Sequence, residues 1–160
     1  MDIPKLLSAL DNETNESIIN LTTDKIVENN LNIILELGLE RNVTIDYMKK
    51  IKNYKYVDEL SDLKYGSFIR WIPLIDPNSL PLQYCGIICD VKIADDGVFV
   101  VCKNFMHRHY TFKMDECLIF QKLTNQELVL LKALDYLKND EEDKEDEEDE
   151  EDEEDEEDYD

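Results

Sequence analysis

Apolar positions along the chain fall into two regimes. As far as about residue 58 they recur at three- and four-residue steps, the spacing of one face of a helix. Ile3, Leu6, Leu7 and Leu10 make a short stripe, with Pro4 suited to a first turn. Asp11–Asn20 is polar and turn-rich. Ile26, Val27, Leu31, Ile34, Leu35 and Leu37 then predict a helix from about Asp24 to Leu37. Thr22 or Thr23 suits its cap, and Gly38 the left-handed position past its end. Thr44 can cap a third helix, Ile45 to about Lys52.

From Tyr65 the period shortens to two. Tyr65–Ile72 is β-branched and aromatic and ends at Pro73, and Leu74–Pro81 is a loop. In Tyr84–Ile93 the residues Cys85, Ile87, Cys89, Val91 and Ile93 alternate onto one predicted face. Asp95-Asp96-Gly97 predicts a hairpin turn, because Asp and Gly tolerate positive φ. Val98–Cys102, His109–Lys113 and Cys117–Lys122 complete five strands. The expected class is α+β: N-terminal helices, a small five-stranded antiparallel SH3-like or Tudor-like barrel or bent sheet, and a C-terminal helix. An OB-like barrel is the second choice. Thr124-Asn125-Gln126-Glu127 reads as a capping box opening the last helix, whose stripe is Leu130, Leu131, Leu134 and Leu137. The helical region 1–58 and the barrel with its helix, 63–139, are expected to pack as one globular unit.

Charge changes the picture at the C-terminus. Of the 39 acidic residues, nineteen lie in Asp140–Asp160 against one base, Lys144, so this tail holds 18 of the 22 net negative charges. Such a run has no apolar surface to bury and repels itself, so 140–160 is expected to be a disordered polyanion and the last helix to fray around Asn139–Asp143. Its natural partners are basic proteins, either histone-like or nucleic-acid-binding; a solubilising role, and competition with nucleic acid for a basic patch on the same chain, are the alternatives. The start of the chain lacks a basic, then apolar, leader pattern, and no run approaches the ~18 apolar residues of a membrane span. The expectation is an intracellular chain with reduced thiols and no membrane contact. The sequence leaves its oligomeric state open.

Candidate chemistry is sparse. Lys49, Lys50, Lys52 and Lys55, with Arg108 from the His107-Arg108-His109 turn, form a candidate basic patch for phosphates. Tyr54, Tyr56, Trp71 and Phe105 form a candidate aromatic surface for stacking. Cys85, Cys89, Cys102, His107, His109 and Cys117 contain ligand types for zinc. Cys85 and Cys89, however, stand about 13 Å apart along a strand, too far for one tetrahedral ion. No metal, cofactor or catalytic residue is assigned. A Cys102–His107 or Cys102–His109 pair lacks any supporting motif.

Leu63-Lys64-Tyr65-Gly66-Ser67-Phe68-Ile69-Arg70-Trp71-Ile72, together with Ile119-Phe120-Gln121-Lys122-Leu123-Thr124-Asn125-Gln126-Glu127, resembles uncharacterised small proteins of large nucleocytoplasmic DNA viruses. The resemblance implies a viral protein made in the host cytoplasm or nucleus, with the virion as a further location, and carries over no site residue. The combined expectation is a non-enzymatic binding module whose polyanionic tail engages basic surfaces. The alternatives are a virion or assembly component and a nucleic-acid-binding domain autoinhibited by the tail.

Overall fold

A computed structural model describes the backbone of residues 2–157 and the side chains of residues 2–142 and 144. The expectation of disorder over 140–160 falls mainly on side chains outside that set. The chain divides into two compact units, Met1–Thr23 with Gln126–Asp160, and Asp24–Asn125. Two of the N-terminal helices fall in the unit that holds the sheet. Among the described residues no helix is long and apolar enough to cross a membrane.

The first unit holds α1 (Ile3–Asp11), a 3₁₀ segment (Glu13–Ile18) and most of α4 (Asn125–Glu157). Asp2 caps α1, accepting from the Lys5 amide at 3.3 Å. The Gln126 carboxamide oxygen accepts from Asn12 Nδ2 at 2.8 Å and from the buried Asn15 Nδ2 at 3.2 Å. Asp135 accepts from the Thr23 amide at 2.9 Å and from its hydroxyl at 2.6 Å. Where fraying was expected the helix continues. Lys138 reaches Glu142 at 3.7 Å and Lys144 reaches Asp140 at 2.9 Å, both one turn apart, which offsets part of the repulsion among the acids.

The second unit holds α2 (Thr23–Leu35) from Asp24 onward, α3 (Arg41–Lys50) and six strands: β1 (Tyr54–Val57), β2 (Phe68–Pro73), β3 (Gln83–Ala94), β4 (Gly97–Lys103), β5 (His109–Lys113) and β6 (Cys117–Lys122). They form one antiparallel sheet in the order β1-β6-β2-β3-β4-β5. The α+β class therefore holds, with two corrections. The sheet has a sixth strand, β1, in a segment read from sequence as a helix end. And the sheet does not close: β1 and β5 are its edges. It is nonetheless strongly curled. β2 pairs with the first half of β3 and β4 with the second half, a stagger that coils the ribbon.

Curling gives the sheet two apolar faces. Ile69, Trp71, Ile88, Val100, Cys102 and Ile119 fill the inner one. Ile72, Phe120 and Tyr54 form the outer one, covered by Ile34 of α2 and Ile51 after α3. Two register shifts decide which residues face in, one opposite Ile69/Arg70 and one between Ile88 and Asp90. A bulge moves the following side chains to the other face. Cys85, Ile88 and Val91 thus point inward, whereas Ile87, expected to share the face of Cys85, lies opposite Phe68 on the other face; Ile93, near the end of β3, is 76% exposed. The outer edge of β1 is met by the buried Asn30 of α2. Its Nδ2 donates to the Tyr54 carbonyl at 2.9 Å and its Oδ1 accepts from the Tyr56 amide at 3.3 Å. Tyr47 Oη donates to the Leu80 carbonyl at 2.6 Å and accepts from the Leu82 amide at 3.2 Å, which pins the β2–β3 loop.

Candidate functional site

β5 and β6 are joined by a single 3₁₀ turn, Met114–Glu116, which places Asp115 and Glu116 at the seam where the curled sheet stays open. A cleft of about 520 Å³ lies beside it, with Asp58 and Asp115 around a floor of Leu60, Leu74, Met114 and Leu118. A second cleft of about 490 Å³ shares Cys117 with the first and is lined by Trp71, Phe99, Phe112, Ile75, Asp96 and Glu116. Both fall in the size range of ligand sites.

Two titratable groups in the first cleft are shifted by burial first and by nearby carboxylates second. Burial raises the Tyr56 hydroxyl above its usual pKa, and the Asp58 and Glu36 carboxylates raise it further. Cys117 is pushed up to about 11, first by burial and then by Glu116 and Asp115. Lys113 lies 4.0 Å from Asp115 and 3.9 Å from Glu116, contacts too long and exposed to neutralise the pair. Neither Asp58 nor Asp96 meets a cation among the described residues. Carboxylates around an aliphatic floor suit a Lys or Arg side chain, whose stem is apolar and whose head is charged.

The residues singled out from sequence scatter. Lys49 and Lys50 end α3, exposed, with Lys50 held by Asp46 at 2.9 Å. Lys52 is exposed in the turn that follows, and Lys55 is half-buried on β1 opposite Gln121. Arg108 lies on the β4–β5 turn, away from β1 in strand order, so the five cations are not one patch. Of the four aromatics, Phe105 is 91% exposed, but Tyr54 and Trp71 are core residues and Tyr56 is half-buried against Phe120. Alternation put Tyr54 under α2 and Trp71 on the inner face, so neither can form the expected surface. Cys102 is fully buried, and its thiol hydrogen-bonds with that of Cys85. His107 and His109 are exposed on the turn, so the Cys–His pairing is not assembled. No cluster of three His, Cys, Asp or Glu side chains is placed to hold a metal ion among the described residues.

The carboxylates of the clefts were missed from sequence because they are spread over 58 residues, in three separate connections. Their signal was local: Asp58-Glu59, Asp95-Asp96 and Asp115-Glu116 each sit beside a strand end. Compared with protein-family models, with curated proteins and with solved structures, the chain matches none.

Proposed function

We propose that this chain is a non-enzymatic binding module that engages basic protein segments, histone-like or nucleic-acid-binding, through the carboxylate-lined seam and the acidic C-terminal run. The observation that carries the reading is the cleft between Asp58 and Asp115, where carboxylates border an aliphatic floor and add to the upward shift that burial gives Tyr56 and Cys117. A basic segment laid there would pack its aliphatic stems on Leu60, Leu74 and Met114 and set its charges against the rim. The nineteen acids of 140–160 extend the same charge complementarity and speed encounter. In this reading the sheet is an SH3-like or Tudor-like module opened at one seam, and the curl that sets β5 against β2 supports it.

Fluorescence anisotropy with a labelled Lys/Arg-rich peptide tests this. The full chain is compared with Asp58→Asn/Asp115→Asn and with a full-length form whose acids at 145–157 are amides. Losing two rim charges should weaken binding about tenfold, and neutralising the tail should flatten its salt dependence. If the peptide binds neither form better than a neutral peptide does, the reading is wrong. Self-association of the tail-neutralised chain in place of peptide binding would favour an assembly component with a solubilising tail.

A further inference from the structure

The outer face of the sheet carries a second, oppositely charged surface. Pairing sets six residues in one row across the strands: Tyr54 opposite Lys122, Phe68 opposite Ile87, Ile87 opposite Lys103, and Lys103 opposite His109. Lys122 Nζ closes the row, 5.4 Å above the Phe68 ring. One step along the strands, the Arg70 guanidinium lies 4.8 Å from the Tyr84 ring centre and 5.9 Å from that of Tyr54. Its Nε is buried without a hydrogen-bond partner among the described residues. Arg70, Lys103, Lys122 and Arg108 meet no carboxylate there either. Two of these cations, Arg70 and Lys122, lie over rings, and none of the four is neutralised by a carboxylate among the described residues.

Beside the row is a cleft of about 270 Å³ bounded by Phe68, Tyr84, Gly86, Lys103, Phe105 and His107, with no acid in its lining. Phe68 and Tyr84 are 42% and 49% exposed, and Phe105 is almost wholly in solvent. Phe105 is not on a loose loop. Asn104 Oδ1 accepts from the Met106 and Arg108 amides, both at 3.0 Å, and its carbonyl accepts from the His107 amide at 3.0 Å. His107 is held in the left-handed region at φ 60°. A turn so fixed presents an apolar ring to water at no gain to the fold, which is the arrangement of a contact group.

We infer that this face binds single-stranded nucleic acid. Bases stack on Phe105, Tyr84 and Phe68, while Lys103, Lys122 and Arg108 meet phosphates. Exposed rings interleaved with unpaired cations on a curled sheet match what an unpaired strand offers, a π-face and a charge at every step. An acidic peptide has the charge but no planar groups to stack. From β6 to β5 the row crosses four strand intervals, about 19 Å along the sheet, enough for a few nucleotides. The surface is separate from the acidic seam and does not depend on the function proposed for it.

Anisotropy of labelled single-stranded oligo-dT and oligo-U of about 12 nucleotides tests it, at low salt, on the full chain and on the full-length form with amides at 145–157. Binding of either oligonucleotide is expected, tighter to the tail-neutralised chain. Phe105→Ala leaves charge and core intact and should weaken binding about tenfold or more with its salt slope unchanged. Lys103→Gln should lower that slope by about 0.7. The inference falls if neither form binds, if Phe105→Ala binds like the parent, or if poly-glutamate or duplex DNA binds as tightly as the single strand.

Discussion

Trp71 and Phe112 lie face to face, ring centroids 4.5 Å apart and planes 13° from parallel, yet β3 and β4 stand between their strands in the sheet. In a flat sheet three strand intervals separate them by about 14 Å. The stack therefore measures the curl and closes the inner core across the open side.

Phe112→Ala should destabilise the chain by about 3 kcal/mol, from lost burial and loss of the ring pair. Trp71 is the chain's single tryptophan, so its emission reports the change directly. A red-shifted native spectrum and an earlier urea midpoint are expected; an unshifted spectrum would show that the curl does not need this contact.

Asn30 serves two backbone groups of β1 at once. Asn30→Ala leaves the Tyr54 carbonyl and the Tyr56 amide unsatisfied, at a cost of about 1–3 kcal/mol each if both stay dry. Hydrogen exchange should then quicken at Tyr56 while amides of β3 and β4 keep their protection. Uniform loss of protection would argue against so local a role.

Gly86 sits at φ 146°, and a Cβ there would lie 2.2 Å from the Lys103 carbonyl oxygen. Gly86→Ala should cost at least about 1–3 kcal/mol of backbone strain and push β4 away beside the basic cleft. A melting temperature within error of the parent would contradict this packing.

Burial holds the thiols protonated: Cys85 and Cys102 are both raised, and Cys117 stands at about 11 against about 9 for a free thiol. A folded pKa above the unfolded one gives stability that is complete below the unfolded value and is lost as pH rises through the folded one. Urea midpoints should be flat from neutral pH to about 8, then fall between about 9 and 11, less steeply in Cys117→Ser. In the native chain at pH 8, iodoacetamide should reach the half-buried Cys89 well before Cys102. Equal labelling rates would refute the burial.

Helices and turns were legible because their signals are local. Gly38 takes the left-handed φ of 66° expected of it, Asp95-Asp96-Gly97 joins β3 to β4, and α4 begins just after Thr124. β1 was missed because Tyr54-Lys55-Tyr56-Val57 follows a lysine-rich helix end and reads as its continuation. Its alternation gains meaning only once β6, more than 60 residues later, supplies a partner. The face of β3 was misread because a bulge is a property of two strands together, invisible in one. Both candidate surfaces are likewise assembled by register: Phe68, Lys103 and Lys122 are far apart in sequence and become neighbours only through three pairings. The lysine run and the tyrosines beside it looked like a site because they were adjacent in the chain, and folding divided them between solvent and core.

An open sheet ordinarily offers two templates for strand addition, one at each edge. Here Asn30 has already claimed the β1 side, so among the described residues the receptive edge is that of β5. A protein with one such edge has a valence of one. Two copies could join β5 to β5 and would then have nothing left to offer a third. Strand-by-strand growth from both ends of the sheet, which needs a donor edge at each, is opposed at the β1 end by a single carboxamide.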